Sequence, residues 1–233
     1  MHAGAPPAGL PYCCGTSWGW LALVDDQRSP TRLVLWEPIS NAEIPLPCLS
    51  RLGRVFLSDD PITSSNWTGI ATQRKGLIGQ TALVWRPGAA AWTMMYGQGT
   101  YEIEAITFHG GKVYYIDCTT DIIICDLVTA GSDDLPPECT RIYHVQSVGN
   151  KLCRCDSLHP VCAVHLVACN GDLLLVVLRS RDHPSWAEVY KPEWTSELYR
   201  RVELRERVMD LGDYSALAVL GQPWTHLCSL GKG

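Results

Sequence analysis

The sequence has few helical signals: hardly any window repeats apolar residues at the i, i+3, i+4 and i+7 positions of a helix face. Short apolar runs bounded by Gly, Asp, Asn and Pro occur throughout the 233 residues instead. The longest apolar run, Leu173 to Leu178, is far shorter than the roughly 20 residues needed to cross a bilayer. These absences argue against a membrane-spanning helix and indicate a mostly β chain.

Basic charge is also sparse. The chain carries 19 Lys and Arg against 24 Asp and Glu, a formal net charge of −5, and the basic residues are scattered along the sequence. Nucleic-acid-binding proteins gather Lys and Arg on one face. The charge pattern therefore predicts a protein partner, and it argues against contact with nucleic acid or a membrane.

A secretory signal is missing from the start of the sequence. Residues 1–10 contain neither the basic segment nor the continuous apolar segment of a signal peptide. We therefore expect a cytoplasmic or nuclear protein, in which the 11 cysteines are mostly buried thiols and disulfides do not form. The sequon Asn66-Trp67-Thr68 then carries no carbohydrate.

The composition is that of a folded chain. Hydrophobic residues make up 46% and charged residues 18% of the sequence, whereas disordered chains have lower hydrophobicity and more charge. Three segments are predicted: a disordered N-terminal stretch over 1–11, a folded domain over 12–221 and a C-terminal tail over 222–233.

The strand pattern is clearest between Ala105 and Leu127. β-Branched and aromatic residues flank Gly110-Gly111, a pair that supplies the positive φ angles of a tight hairpin. A polar corner over 118–121 then leads into a third apolar run. This segment predicts three consecutive antiparallel strands.

A similar pattern follows later in the chain. Asn170-Gly171, a strong two-residue hairpin signal, separates apolar runs over 165–169 and 173–178. A third strand is predicted at Trp186–Tyr190, and a fourth at Tyr199–Glu206.

Two earlier copies cover 19–36 and 68–95, the first followed by breaks at Pro38 and over 44–47. Copies at intervals of roughly 40–50 residues predict an all-β fold, a β-propeller of four-stranded antiparallel blades of the kelch and WD40 kind. A β-sandwich is the alternative, but it does not account for the recurrence.

Several weak motifs occur in a fixed order between residues 12 and 221. They are the segments Cys14–Leu21, Pro38–Pro47, Leu83–Thr93, Phe108–Asp117, His165–Val176 and Leu211–Leu217. As a set they resemble the plant F-box-associated KIB-type β-propeller family. The resemblance implies a non-catalytic protein–protein interaction domain, of the kind that recognises substrates for F-box (SCF) ubiquitin ligases.

Two features depart from the family pattern. No helical F-box module precedes Cys13, so we expect no binding to the Skp adaptor of the ligase. The family's last strand set is missing beyond Gly221, which predicts an incomplete ring with marginal stability and a tendency to self-associate. The apolar side chains left exposed would include Leu21, Leu23, Leu217 and Val219.

Potential metal ligands are concentrated in one stretch: Cys153, Cys155, His159, Cys162, His165 and Cys169. Their spacing does not give the two close pairs of a zinc site, and the last two fall in a predicted hairpin. We therefore expect no bound metal.

No catalytic or cofactor-binding motif is recognisable. The sequence has neither a G-x-S-x-G elbow nor a protease-type cysteine signature, and Gly97-Gln98-Gly99 is too short for a phosphate-binding loop. The acid pairs at 25–26, 59–60 and 133–134 fit turns better than a glycosidase site. We expect no enzyme and no cofactor. The alternatives are a truncated gene product without independent function and, less favoured, a zinc-binding or propeller-pore enzyme.

Tryptophan carries the remaining signal. Four tryptophans lie in apolar strands and are predicted to fill the core: Trp20, Trp36, Trp85 and Trp92. Three others lie beside polar loops with the composition of a protein-binding rim, although ordinary edge packing is the favoured interpretation for each: Trp67, Trp186 and Trp194, near Asn66, Arg181, His183 and Glu193.

Overall fold

The computed structural model describes residues 4–76, 79–96, 103–117, 121–127, 139–146, 161–169, 171–179, 186–194, 201–204 and 208. Over these residues the chain consists of β-strands and connecting turns, without an α-helix and hence without a helix that could span a membrane. The strands belong to two compact units, Met1–Glu102 and Ile103–Gly233. The all-β prediction is confirmed.

The first unit contains two four-stranded antiparallel sheets in which neighbours along the chain are neighbours in the sheet. The first sheet consists of β1 (Tyr12–Ser17), β2 (Trp20–Val24), β3 (Leu33–Glu37) and β4 (Ala42–Leu46). The second consists of β5 (Leu52–Leu57), β6 (Gly69–Lys75), β7 (Gly79–Trp85) and β8 (Thr93–Tyr96). Each sheet is a meander, the arrangement of a propeller blade.

The repeat pattern predicts β2, β3, β6, β7 and β8, and it misses β1 and β5. The strand break predicted over 44–47 is wrong, because β4 continues through Pro45 to Leu46. β4 lies at the edge of its sheet. A residue without an N–H group is tolerated at an edge, where it removes no hydrogen bond from a central ladder.

Residues 4–11 lie against the first sheet, although the sequence predicts disorder over 1–11. The Gly4 amide donates a hydrogen bond to the Pro38 carbonyl oxygen at 2.7 Å. Leu10 is buried, with 4% of its surface exposed. It packs in a small apolar cluster with Leu21, Leu23, Val34 and Trp36.

This packing changes the expectation for Leu21 and Leu23, which the sequence places on an exposed blade face. Leu23 is buried and Leu21 is half-buried in the cluster that contains Leu10. Their predicted exposure is therefore wrong, because an apolar side chain of the preceding segment packs on this face. Leu217 and Val219 lie outside the described residues.

Aromatic side chains form much of the core of the first unit. Trp67 and Trp85 have ring centroids 5.3 Å apart, and Trp85 and Trp92 have theirs 6.4 Å apart. Trp92 Nε1 also donates a hydrogen bond to the Pro47 carbonyl oxygen at 2.7 Å. The core prediction is confirmed for all four tryptophans, which are buried or half-buried: Trp20, Trp36, Trp85 and Trp92.

β1 and β5 approach each other closely at Gly15 and Val55. A Cβ atom added to Gly15 would lie 2.2 Å from the Val55 carbonyl oxygen, well inside the van der Waals distance. Two residues further along β1, Ser17 Oγ accepts a hydrogen bond from the Leu57 amide at 3.2 Å. The first strands of the two sheets thus pack directly on each other, as the inner strands of neighbouring blades do.

Thr81 is a position where valine is expected to raise stability. Among the described residues, its Oγ1 is the buried side-chain oxygen that lacks a hydrogen-bond partner. Valine has a similar shape, suits a strand and leaves no polar group unpaired. We expect Thr81→Val to raise the free energy of unfolding in urea by about 1 kcal/mol. Thr81→Ser, which keeps the hydroxyl and loses a methyl group, should lower it, and a destabilised Thr81→Val protein would contradict this assignment.

The second unit contains a six-stranded sheet and a three-stranded sheet. Its strands are β9 (Ile103–His109), β10 (Lys112–Asp117), β11 (Asp121–Asp126), β12 (Cys139–Gln146), β13 (Val161–Cys169), β14 (Asp172–Arg179), β15 (Trp186–Tyr190), β16 (Glu193–Trp194) and β17 (Arg201–Glu203). The strand orders are β16-β17-β12-β11-β10-β9 and β13-β14-β15. Both predicted hairpins are confirmed, and Gly110, Gly111 and Gly171 have the expected positive φ angles.

The predicted fourth strand, β17, does not extend the sheet of β13 to β15. It pairs in parallel with β12 and antiparallel with β16. Val202 of β17 is buried in the core that also contains Ile122 and Leu175. The strand prediction is confirmed, but its place in the sheet is not, because Pro192 ends the β15 segment and the following residues pair elsewhere.

One cysteine departs from the expectation that disulfides do not form. Cys125, fully buried in β11, is disulfide-bonded. The strand register places Cys125 opposite Cys139 of β12. The spacing of cysteines in the sequence does not disclose this disulfide, because the register of the strands decides which residues come close to Cys125.

Candidate functional site

Four connections lie at one end of the first unit: the β1–β2 turn at 18–19, the β3–β4 turn at 38–41, the β5–β6 loop at 58–68 and the β7–β8 loop at 86–92. They share this end because every second connection of a meander does. The two sheets are joined here by a hydrogen bond from Trp18 Nε1 to the Leu57 carbonyl oxygen at 3.1 Å. We refer to this part of the unit as the apolar end.

Three large apolar side chains are exposed at the apolar end. Trp18 is 57% exposed, Ile39 69% and Ile62 59%. They come from three different connections and from both sheets, so no single local feature produces them. Exposed apolar side chains that share one face mark interaction sites, and tryptophan is enriched among residues that dominate binding energy. Trp18, Ile39 and Ile62 together are the apolar patch.

Trp18 has a backbone conformation that its side chain disfavours. Its φ angle is 56°, and that of Gly19 is 83°. The two residues form a hairpin turn in which both φ angles are positive, a turn that prefers Asn-Gly. A bulky side chain there costs about 1–2 kcal/mol, and burial does not offset this cost because most of the ring is exposed. Strained residues of this kind cluster at functional sites.

The Asp60 carboxylate fixes the loop that carries Ile62. It accepts hydrogen bonds from Trp20 Nε1 at 3.0 Å, from the Ile62 amide at 3.0 Å and from the Thr63 hydroxyl at 3.1 Å. The bond from Trp20 is the largest cause that holds the pKa of Asp60 below its usual range. Because Trp20 is a core residue of the first sheet, Asp60 anchors the β5–β6 loop to that sheet.

Glu37 holds the turn that carries Ile39 in the same way. Its carboxylate accepts hydrogen bonds from the Ser40 and Ile39 amides. The hydrogen bonds from Ser40 are the largest causes that lower the pKa of Glu37, while the nearby charge of Asp60 raises it. The two carboxylates are therefore close to each other, and the apolar patch is held by two anchored loops and a hairpin.

The structure places the tryptophans predicted for a binding rim in different environments. Trp67 is 5% exposed and belongs to the core, so it packs, as the favoured interpretation has it, and the rim interpretation is wrong for it, while its neighbour Asn66 is exposed. Trp194 is 38% exposed, with its ring centroid 5.9 Å from that of Tyr114. Trp186 lies in β15.

The remaining polar residues of the predicted rim do not lie near the apolar patch in sequence. Glu193 is exposed in β16, and Arg181 and His183 lie outside the described residues. The apolar patch was not predicted. Its one recognisable signal is Trp18 directly before Gly19, which puts a large ring at a turn position that favours Asn.

The predicted absence of a metal site stays a prediction, because much of the cysteine and histidine stretch lies outside the described residues. His165 is buried in β13 opposite Val176, as the hairpin prediction requires. Cys153, Cys155 and His159 lie outside the described residues. Within the part of the chain that is described, no group of three His, Cys, Asp or Glu side chains is arranged to hold a metal ion.

The opposite end of the first unit contains a loop organised by Asp25. This carboxylate accepts hydrogen bonds from the Thr31 amide at 2.9 Å, the Arg32 amide at 3.1 Å and the Thr31 hydroxyl. The Thr31 side chain is the largest cause that lowers the pKa of Asp25 to about 2. Asp26 accepts bonds from the Arg28 and Ser29 amides, both at 2.7 Å.

We expect Thr31→Ala to raise the pKa of Asp25, because it removes the hydrogen bond that lowers this pKa most. NMR titration of the Asp25 carboxyl carbon measures the change. A lowered folded-state pKa gives stability above the unfolded-state pKa of 3.8 that is lost as the pH falls towards about 2. Asp26 is the internal control, because its lowered pKa depends on the Ser29 and Arg28 amides. An Asp25 pKa that stays near 2 would contradict the assigned cause.

Two antiparallel four-stranded meanders with their first strands packed together are typical of β-propeller proteins. A family model described as the KIB1-4 beta-propeller matches residues 2–231. The chain belongs to this family, which confirms the predicted fold and the resemblance. β-Propellers of this kind are scaffolds for protein interactions.

Comparison with solved structures found 11 matching chains. One of them is the crystal structure of the N-terminal domain of Nup159, with 6% sequence identity and a TM-score of 0.47. The match covers 89% of this chain and 50% of that chain, so the present chain spans about half the length of that domain. A search of curated proteins found no match.

Proposed function

We propose that the chain is a non-catalytic protein-interaction domain whose apolar patch binds a partner protein. The observation that carries this proposal is Trp18, a strained and exposed ring at the tip of a hairpin. Asn at the same position would relieve the strain, and the hydrogen bond from Trp18 Nε1 to Leu57 contributes no more than that strain costs, so the fold gains little stability from a tryptophan there. Ile39 and Ile62 extend the apolar surface on loops that are already held in place.

The charges around the apolar patch indicate the chemistry of the partner. Glu37, Asp59 and Asp60 lie at the apolar end, where these three acids outnumber the basic residue Arg86. Hydrogen bonds hold the pKa values of Glu37 and Asp60 below their usual range, so both carboxylates are ionised at neutral pH. A complementary surface would present an apolar pocket bordered by Lys or Arg side chains.

The state of the described thiols and acids supports a non-catalytic role. Burial raises the pKa of the Cys14 thiol to about 12, and burial also raises that of Cys48. Nucleophilic cysteines have lowered pKa values instead. Asp25 and Asp60 accept hydrogen bonds that shape their own loops, which fits the turn-forming role predicted for the acid pairs.

The family resemblance supports a more specific role. We propose that the domain recognises a protein destined for ubiquitination by an F-box type ligase, in the cytoplasm or the nucleus. The 233-residue chain itself should not bind a Skp adaptor, because no F-box-like segment is recognisable in its sequence. The KIB1-4 beta-propeller match over residues 2–231 supports the recognition part of this role.

The experiment that tests the proposal uses Trp18→Asn in the full chain. We expect this variant to keep about the stability of the wild type, because the strain that Asn relieves, about 1–2 kcal/mol, is offset by the loss of the hydrogen bond from Trp18 Nε1 to the Leu57 carbonyl oxygen, which contributes about 1 kcal/mol. Proteins retained by immobilised wild-type chain through the apolar patch should bind the variant at least about tenfold more weakly. Ile62→Ser should weaken the same interactions. Quantitative mass spectrometry of the retained proteins, compared between variants, gives the result.

Tyr12→Ser is the matched control, because Tyr12 is a partly exposed aromatic residue at the opposite end of β1. It should leave the same interactions unchanged. If Trp18→Asn and Ile62→Ser are folded and retain every partner at wild-type strength, the apolar patch is not the binding surface.

A further inference from the structure

Basic residues lie on neighbouring backbone segments at the end of the first unit opposite the apolar end. The Arg51 amide donates a hydrogen bond to the Arg28 carbonyl oxygen, and the Arg74 amide donates one to the Arg51 carbonyl oxygen, both at 3.0 Å. The three arginines are exposed, as is Lys75. We call these four residues the arginine arc. The length of the strands separates the arc from the apolar patch by about 20 Å.

Arg51 repeats the conflict seen at Trp18. Its φ angle is 54°, in the left-handed region that glycine and asparagine adopt most easily. Its side chain is exposed, so no burial offsets the cost of this conformation. Asn41 is the other non-glycine residue with a positive φ angle among the described residues, and asparagine tolerates it. The two strained positions therefore lie in the apolar patch and in the arginine arc.

The acids near the arginine arc are already engaged. Asp25 and Asp26 accept hydrogen bonds from the amides of their own loop, and the charge of Arg28 contributes to lowering the pKa of Asp26. Arg28 is thus partly compensated. Two ion pairs, Arg179–Glu188 and Lys191–Asp172, lie in the second unit. Among the described residues, no carboxylate is paired with Arg51, Arg74 or Lys75, so their charges are available to an external anion.

We propose that the arginine arc binds an extended acidic peptide segment of a protein partner. Guanidinium groups pair with carboxylates through two parallel hydrogen bonds, so a row of arginines suits a row of carboxylates. An extended peptide places carboxylates of the same face about 7 Å apart. Arginine side chains that start from hydrogen-bonded neighbouring segments, about 5 Å apart, can match this spacing.

A polynucleotide fits the arginine arc less well. Asp25 and Asp26 border the arc beside Arg28, and the whole chain has a net charge of −5. A long polyanion would extend beyond the arc into this negative field, whereas a short peptide segment contacts the arc alone. The proposal concerns a second surface, so it stands or falls separately from the function of the apolar patch.

The test measures binding of labelled peptides to the full chain by fluorescence anisotropy at low salt. A peptide of alternating Glu and Ser, which puts all carboxylates on one face when extended, should bind, and its affinity should fall as salt is added. The same peptide with Gln in place of Glu should not bind. Arg51→Gly should weaken binding by about tenfold, because it removes one charge-assisted contact.

The substitution Arg51→Gly also separates binding from folding. Glycine adopts the positive φ angle without strain, so the variant should unfold at a urea concentration no lower than the wild type. Arg86→Gln removes the same charge at the apolar end and should leave peptide affinity unchanged. Equal binding of the Gln peptide, an unchanged affinity of folded Arg51→Gly, or tighter binding of oligothymidine than of the Glu peptide would overturn the proposal.

Discussion

Replacing Gly15 with alanine is expected to lower the free energy of unfolding by about 3 kcal/mol. The added Cβ would lie 2.2 Å from the Val55 carbonyl oxygen and 3.0 Å from the Val55 backbone nitrogen. Backbone atoms in a strand cannot move aside as the end of a flexible side chain can. The methyl group must therefore push β1 and β5 apart. This displacement also weakens the hydrogen bond from the Leu57 amide to Ser17 Oγ at the ends of these strands. Urea denaturation of the full chain measures the loss.

Gly69→Ala is the matched control. Gly69 also lies in a strand, but an added Cβ would meet its nearest neighbour, the Trp92 ring, at 3.5 Å, which is an ordinary contact. This variant should be as stable as the wild type or slightly more stable. Alanine restricts the unfolded chain more than glycine does, and at compatible sites this raises the free energy of unfolding by about 0.4–1 kcal/mol. Equal stability of Gly15→Ala and Gly69→Ala would show that the two sheets do not pack through Gly15.

Trp20→Ala is expected to lower the free energy of unfolding by about 3–5 kcal/mol. Trp20 is 1% exposed in the core of the first unit, so its removal leaves a cavity that a sheet cannot close. It also frees the Asp60 carboxylate from its hydrogen bond to Nε1. The free energy of unfolding in urea measures the loss.

Trp20→Phe separates the two contributions. It keeps much of the ring volume but removes the hydrogen-bond donor, so the loss of stability should be smaller than for alanine. The pKa of Asp60 should then rise towards its usual value, because the bond from Trp20 is the largest cause of its lowering. An Asp60 pKa that is the same in Trp20→Phe and in the wild type would mean that Trp20 does not anchor the β5–β6 loop.

Strands and tight hairpins are predictable because their signals are local. Gly110-Gly111 and Asn170-Gly171 lie between apolar runs, and the predicted hairpins form there. The core tryptophans are predictable for a similar reason, since a large aromatic side chain within an apolar run is usually buried. The family motifs, which occur in a fixed order along the chain, predict the β-propeller fold in addition to the single strands.

The candidate sites are not predictable in the same way because their residues meet only in the folded chain. Arg28, Arg51 and Arg74 are far apart in the sequence, and backbone hydrogen bonds between two connections and the end of β6 bring them together. The strain at Trp18 and Arg51 comes from their positive φ angles, which the composition of the sequence does not reveal. Trp67 shows the opposite error: polar neighbours in sequence suggest a rim, but the ring packs on Trp85.

Packing across long separations accounts for the other differences. Leu10 covers the apolar face of the first sheet, although the segment before β1 has the composition of a disordered end. β17 joins β12 rather than β15, a choice between two sheet edges that the strand sequence does not encode. Pro45 lies in an edge strand, and nothing in the sequence identifies which strand is an edge.

Site-specific photo-cross-linking tests the central claim, that a partner protein contacts the apolar patch. Benzoylphenylalanine is placed in the full chain at position 18, 39 or 62, and at position 12 as the control at the other end of the unit. We predict that all three patch positions capture the same protein, that excess unlabelled wild-type chain reduces the yield, and that position 12 does not capture it. Capture of that protein from position 12 and from none of the patch positions would contradict the claim.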